Sequence, residues 1–229
     1  MGTVNLSKVT VNLSKGDKIN LSKASNGLKK VLIGLGWDPV EKYQTFQQPA
    51  GFFSRLFGKT TETVTRRVES GEEIDCDAWV CLLKDGDFSG SEEDLIYYHN
   101  LNFRKNGETI ILHHGDNLTG EGDGDDEEIS IDLSKMPNKY DGAIIGVTIY
   151  RGAERNQSFG SIKNTFIRIV DENDNFEICR FNQADMSDMP SALTFIAGKL
   201  YKDNGEWQFK AIGDCTMDKS IGAATKRFM

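Results

Sequence analysis

The residues best equipped for chemistry lie in one stretch, Gly115 to Glu128, which reads GDNLTGEGDGDDEE and holds seven acids with no Lys or Arg. The acids are Asp116, Glu121, Asp123, Asp125, Asp126, Glu127 and Glu128, and Gly115, Gly120, Gly122 and Gly124 are interleaved with them. Glycines let a loop fold back and turn its carbonyl oxygens inward. Carboxylates held that close repel one another, and taking them out of water is costly unless a cation sits between them. Ca²⁺ accepts roughly six to eight oxygens from carboxylates, amide side chains and backbone carbonyls in flexible geometry. The stretch therefore reads as a Ca²⁺ loop. It is not an EF-hand, because no D-x-D-x-D-G run is followed by a Glu at the required position.

A second acidic pair, Asp75 and Asp77, opens the segment EIDCDAWVCLLK from Glu73 to Lys84. Ile74, Cys76, Ala78, Val80 and Leu82 alternate as one face of a strand, so the two aspartates share the other face and can point at a common ion.

Other chemistries find little support. His99, His113 and His114 are the only histidines, and neither HExxH, GxSxG nor a Walker-type GxxxxGK[ST] is present. A metal-dependent hydrolase and a Ca²⁺-bridged sugar or lipid binder are the competing classes, and a non-catalytic Ca²⁺ module ranks above both. Cys76, Cys81, Cys179 and Cys215 form no CxxC pair and read as free thiols in a reducing cytosol. The net charge of −8 is concentrated in the acidic run, which leaves no basic face for nucleic acid. No run of about 18 apolar residues suggests a membrane span, and no secretory leader is apparent.

The elements that must position these acids are mostly strands. Leu28–Trp37 is an apolar, β-branched run expected to be a central strand, with Gly34 and Gly36 marking either a bulge or a close backbone approach. Three NLSK copies begin at Asn5, Asn12 and Asn20. Gly16-Asp17 between the last two predicts a hairpin with strands near 10–14 and 18–22. Residues 39–72 read as an inserted excursion containing a hairpin. There Phe52, Phe53, Leu56 and Phe57 beside Arg55 and Lys59 read first as aromatics covering the edge of the sandwich, and second as a small membrane-surface or partner anchor. Strands are expected at Thr109–Leu112, Ile129–Leu133, Gly142–Tyr150, Asn164–Val170 and Phe176–Phe181. A closing pair spans Asp203-Asn204-Gly205, and Lys219–Phe228 reads as a short helix. The whole is all-β: one domain over 1–229, a two-sheet β-sandwich with a short C-terminal helix and a few small helical turns.

These segments resemble the tellurite-resistance TerD domain family. The resemblance covers most of the chain and rests on Gly34-Leu-Gly-Trp-Asp38, Asp75-x-Asp-Ala78 with Leu82-Leu83, the Gly115–Glu127 run, and Arg155-x-Gln-x-Phe-Gly160 followed by Asn164-x-Phe-Ile-Arg168. It implies a β-sandwich that binds Ca²⁺ at two adjacent sites on one end. The ligands it implies are Asp75, Asp77, Asp116, Asn117, Asp123, Asp125, Asp126 and Glu127, with Asp38 and Asn100 as further candidates. It also implies a cytoplasmic scaffold or sensor in tellurite and general stress resistance. Its partners would be other stress-resistance proteins, in a complex at the inner membrane surface. The excursion at 39–72 is longer than in typical members.

Overall fold

The computed structural model describes residues 8–39, 42–49, 51, 57–58, 60–68, 74–115, 124–183 and 189–229. Within them run β1 Val11–Leu13, β2 Lys18–Asn20, β3 Lys30–Pro39, β4 Lys42–Pro49, β5 Thr61–Val68, β6 Cys76–Lys84, β7 Asp87–Phe88 and β8 Leu95–Ile96. There follow β9 Asn102–Lys105, β10 Glu108–His113, β11 Glu127–Asp132, β12 Gly142–Ile149, β13 Ile162–Asp171, β14 Phe176–Gln183, β15 Thr194–Asp203 and β16 Glu206–Thr216. The first sheet has the order β1-β14-β13-β3-β11-β10-β9 and the second β2-β16-β15-β12-β6-β7. Short helices span Leu21–Ala24, Gly152–Arg155 and Ile221–Thr225.

Alternation along the strands builds one core between the sheets. Ile33, Leu35, Ile129, Ile131, Ile167 and Ile169 from the first sheet meet Cys76, Ala78, Val80, Leu82, Ile145 and Val147 from the second. Strand β6 is buried on both faces: its other side, Trp79, Cys81 and Leu83, joins Leu95, Ile196, Ile221 and Ala224 in a smaller cluster. The C-terminal helix thus lies over the outer face of the second sheet, which explains why β6 carries almost no polar residue.

The central position of Leu28–Trp37 is borne out, because β3 lies between β11 and β13. The turns at Asn106-Gly107 and Asn204-Gly205 both take the positive φ that a two-residue hairpin requires. The N-terminal hairpin is a correction. Strands β1 and β2 form where expected, but they do not pair with each other. β1 runs parallel to β14 in the first sheet, and β2 runs antiparallel to β16 in the second. The Gly16 amide instead bonds the carbonyl of Ala211, so the turn passes the chain from one layer to the other. A turn sequence specifies a bend; which sheet each arm joins is set by the apolar partners on offer.

The 39–72 excursion does contain a hairpin, with β4 and β5 in register from Lys42↔Val68 to Pro49↔Thr61. It forms a two-stranded sheet of its own. The connection carrying Phe52, Phe53, Arg55 and Leu56 lies outside the described residues.

Candidate acidic rim at one end of the sandwich

Two strand ends from different sheets bring the acids together. Strand β11 starts at Glu127, paired with Leu35 of β3, and the Asp126 amide donates to the Leu35 carbonyl at 2.8 Å. Across the core, β6 starts at Cys76, paired with Ile149, and the Tyr150 amide donates to the Asp75 carbonyl at 2.8 Å.

Glu127 is in phase with Ile129 and Ile131, so it points between the sheets and is only 2 % exposed. His113, which ends β10, meets it there. The His113 Nε2 lies 3.0 Å from Glu127 Oε2 and 3.2 Å from the Ala78 carbonyl on the opposite sheet. Two acceptors at Nε2 require that nitrogen to carry the hydrogen. The Gly115 amide donates to Nδ1 at 3.3 Å, which fixes the Nε2–H tautomer. The ring thereby orients the Glu127 carboxylate.

Asp77 is 4 % exposed and sits opposite Thr148 on the face that carries Trp79. There the Trp79 indole donates to Thr148 Oγ1 at 3.0 Å, and Thr148 is 2.9 Å from Thr194 Oγ1. Asp77 therefore projects from the outer face of β6, whereas Glu127 projects from β11 between the sheets, where Cys76 also lies. Burial pushes the Cys76 thiol well up, and the charges of Asp75, Asp77, Glu127 and Asp126 push it further. All four charges, from both sheets, bear on one buried sulfur.

Asp126 accepts the Trp37 amide at 2.7 Å. Its carboxyl lies above the usual range because burial raises it; the Trp37 hydrogen bond opposes this, and the charges of Asp38 and Asp125 add to it. Asp38 accepts from Asn164 at 2.6 Å. Asn100 ties down its own turn, donating to the carbonyls of Glu92 and Leu95.

Asp125 has a different environment. Its side chain is 1 % exposed and takes a bidentate contact from Arg168, with Nε 2.8 Å from Oδ1 and Nη2 2.8 Å from Oδ2. Arg168 continues to Glu177 at 3.2 Å, and Glu177 to Arg180 at 2.9 Å. The carboxylate lies over Gly34, where an added Cβ would come within 2.0 Å of Asp125 Oδ2. This explains the glycine expected at a close approach. Gly36 likewise makes room for the Phe166 ring and the Gly124 carbonyl.

Of the expected ligands, Asp75, Asp77, Asp126 and Glu127 are thus grouped, Asp125 is held by Arg168, and Asp116, Asn117 and Asp123 lie outside the described residues. Among the described residues, no three His, Cys, Asp or Glu side chains form an assembled metal shell. The donors present are hard oxygens with the acidic loop joined directly to them, and that chemistry fits Ca²⁺. Sequence reasoning assigned no partner to Arg168 and took His113 as a strand end, or as a base only under the hydrolase reading. Both had a signal. Arg168 interrupts an apolar alternation and needs an acid on its face, while His113 falls on the inward phase set by Ile111.

Comparison with known proteins points the same way as the resemblance. The chain matches the TerD domain over residues 9–228. It is 38 % identical over 221 residues to stress response protein SCP2 of Bacillus subtilis (strain 168), covering 96 % of this chain and 100 % of that one. It is 36 % identical over 205 residues to tellurium resistance protein TerD of Serratia marcescens, covering 90 % of each. The crystal structure of a telluride resistance protein (TerD) homologue from Streptomyces coelicolor A3(2) shares the fold, with a TM-score of 0.53 at 16 % identity over 82 % of this chain and 90 % of that one. Matched over residues 9–228, this chain belongs to the TerD domain family, with relatives named for tellurium resistance and general stress response.

Proposed function

We propose that the protein is a non-catalytic Ca²⁺-binding scaffold or sensor acting in tellurium and general stress resistance. The observation that carries this reading is the convergence of acids at the ends of β6 and β11, which His113 links through Glu127 and the Ala78 carbonyl, with Asp75, Asp77, Asp126 and Glu127 all bearing electrostatically on buried Cys76. Two of these acids, Asp77 and Glu127, are almost wholly withdrawn from solvent. Carboxylates in that setting call for a cation. These four residues would hold it, with Asp116, Asn117 and Asp123 from the adjoining loop as further donors. Asp125, held by Arg168, would anchor the end of the acidic run beside them. A bound Ca²⁺ supplies positive charge that offsets the repulsion and orders the rim into a surface for a partner. Other stress-resistance proteins, in a cytoplasmic complex at the inner membrane surface, are the proposed partners, and two ions are the proposed load. No helix among the described residues is long and apolar enough to cross a membrane.

The test is a calcium titration by calorimetry together with metal analysis of the dialysed protein. Two bound ions per chain are expected, and Asp77→Asn should abolish one of them. A flat titration with a metal-free chain would overturn the reading.

A further inference from the structure

The first sheet ends on β9, whose outer edge pairs with no strand among the described residues. The direction of its peptide groups follows from its two ends. Lys105 and Glu108 close the two-residue turn at Asn106-Gly107, so the Lys105 peptide groups face β10. At the other end the Leu101 carbonyl accepts the His113 amide at 2.8 Å. Alternation between these points leaves the N–H and C=O of Asn102 and Arg104 directed at the open edge. Beside that edge lies an open cleft of about 560 Å³, lined in part by Asn102 and Arg104 and by Glu92, Glu93 and His99. Glu92 and Glu93 belong to the helical turn Glu92–Asp94. This turn lies on the side to which Phe103 points: Phe103 packs edge-on against Tyr140 at 5.4 Å, and the Tyr140 hydroxyl donates to Asp94. Among the described residues neither glutamate has an ion-pair partner, and the Glu92 carboxylate accepts the Tyr97 hydroxyl at 3.2 Å. Glu108, at the turn end of the same strand pair, is by contrast met by Lys135 at 2.8 Å.

We propose that the β9 edge is a peptide-docking site: an extended segment of a partner protein adds to it as an antiparallel strand and directs basic side chains, two residues apart, at Glu92 and Glu93. An unpaired strand edge is a template for strand addition, in which main-chain hydrogen bonds supply affinity and alternate side chains supply specificity. In an antiparallel pair, directly opposite residues share a face. Peptide residues that bond Asn102 and Arg104 therefore carry their side chains on the outer face of the sheet. The residues between them point to the Phe103 side, toward the two glutamates. The charge there selects a basic segment. A second copy of this chain is the less favoured occupant. Its own β9 offers Phe103, already buried in its own core, at the middle inward position, and each copy carries a net charge of −8. The inference rests on the edge and its charge, not on the Ca²⁺ reading.

The test is fluorescence anisotropy of a labelled peptide of alternating lysine and threonine, titrated with the full chain in calcium buffer. Saturable binding is expected. N-methylating the threonine amides should abolish it, because those amides face β9, whereas N-methylating the lysine amides should leave it intact. Changing Glu92→Gln and Glu93→Gln together should weaken binding about fivefold, the loss of two exposed charge pairs. Arg104→Pro removes one outward N–H without touching the β10 ladder, and should abolish binding while the circular dichroism of the sandwich persists. The two methylated peptides decide the question with the wild-type chain even where a variant misfolds. A peptide that is not bound overturns the proposal. So does one bound equally whichever amides are methylated, which is attraction by charge alone, or one released by methylating the lysines instead. A chain that self-associates in light scattering and is dispersed by Arg104→Pro assigns the edge to a second copy and overturns it as well.

Discussion

Asp94 and Asp126 are both drawn out of bulk water in one sandwich, yet their carboxyl groups shift in opposite directions. Burial of Asp94 works against its charge, but hydrogen bonds from Lys84, Ser89 and Tyr140 and the charge of Lys84 hold it below the usual range. Lys84 Nζ is 2.7 Å and Ser89 Oγ 2.6 Å from its Oδ2, and the Tyr140 hydroxyl donates to Oδ1. Burial of Asp126 also works against its charge; the Trp37 amide opposes this, but the charges of Asp38 and Asp125 add to the penalty. A carboxylate with a structural role comes with its donors built in. One at the rim stands among other acids, as expected where the counter-charge is to come from outside. Asp125, next in sequence to Asp126, falls on the structural side because Arg168 meets it.

The largest effect should come from the built-in site. Asp94→Ala leaves the Lys84 ammonium and the buried Tyr140 hydroxyl without their acceptor, and should cost about 3 kcal/mol in urea unfolding. The loss should be the same with calcium and with chelator. Its pH dependence has a fixed sign. Asp94 is held below its unfolded value of about 3.9, so its contribution is complete above that value and disappears as pH falls through the lower, folded one. The wild-type and variant curves should therefore converge in acid. A gap that widens in acid would remove Asp94 from the structural class.

The rim should show the opposite response, to metal. Saturating the protein at a hundredfold excess over the dissociation constant adds about 2.7 kcal/mol. In a domain of this size each kcal/mol moves the melting temperature by about 2–4 °C. A chelator should therefore lower the melting point by about 5–10 °C in the wild type and by the same amount in Asp94→Ala. A melting curve indifferent to chelator erases the distinction between the two classes.

How much of this the sequence disclosed follows from which interactions are local. Strand β3 was legible because an uninterrupted apolar run can only be buried on both sides, and β6 because its alternation is clean. Gly34 and Gly36 were legible as a bulge or a close approach, although what approaches them, Asp125 and Phe166, was not. The acidic run was visible as composition. Its division was not, because the partner of Asp125 lies more than forty positions away on β13 and is brought there by pairing through β3. The same long-range pairing defeated the N-terminal hairpin. Gly16-Asp17 makes the expected bend, but β14 and β16 offer longer partners than the two arms offer each other. Composition exposed the acids, and topology decided which of them received a cation from the protein.

That division can be probed from the backbone side. Gly34→Ala would drive a methyl to within 2.0 Å of Asp125 Oδ2 and displace the carboxylate from Arg168, at a cost of about 2 kcal/mol. In an Asp125→Ala background the same glycine change should cost less, because the colliding group is gone. The coupling in that double-mutant cycle measures the contact. Additive costs would mean that Gly34 serves the β3 backbone alone.

The smallest effect is also the most discriminating, because its sign should reverse. A carboxyl raised above its unfolded range, as Asp126 is, takes up a proton more readily when folded, so its charged form opposes folding at pH values above the raised one. Asp126→Asn removes that charge and keeps an oxygen for the Trp37 amide. In chelator the variant should be more stable than wild type by less than about 1 kcal/mol, the range of partly solvated charge interactions. In calcium it should lose part of the metal-dependent gain, so the two melting curves cross as calcium is added. If Asp126→Asn is the less stable protein in both buffers, its carboxylate is structural like that of Asp94, and the rim contains one fewer calcium ligand than its grouping with Asp75, Asp77 and Glu127 indicates.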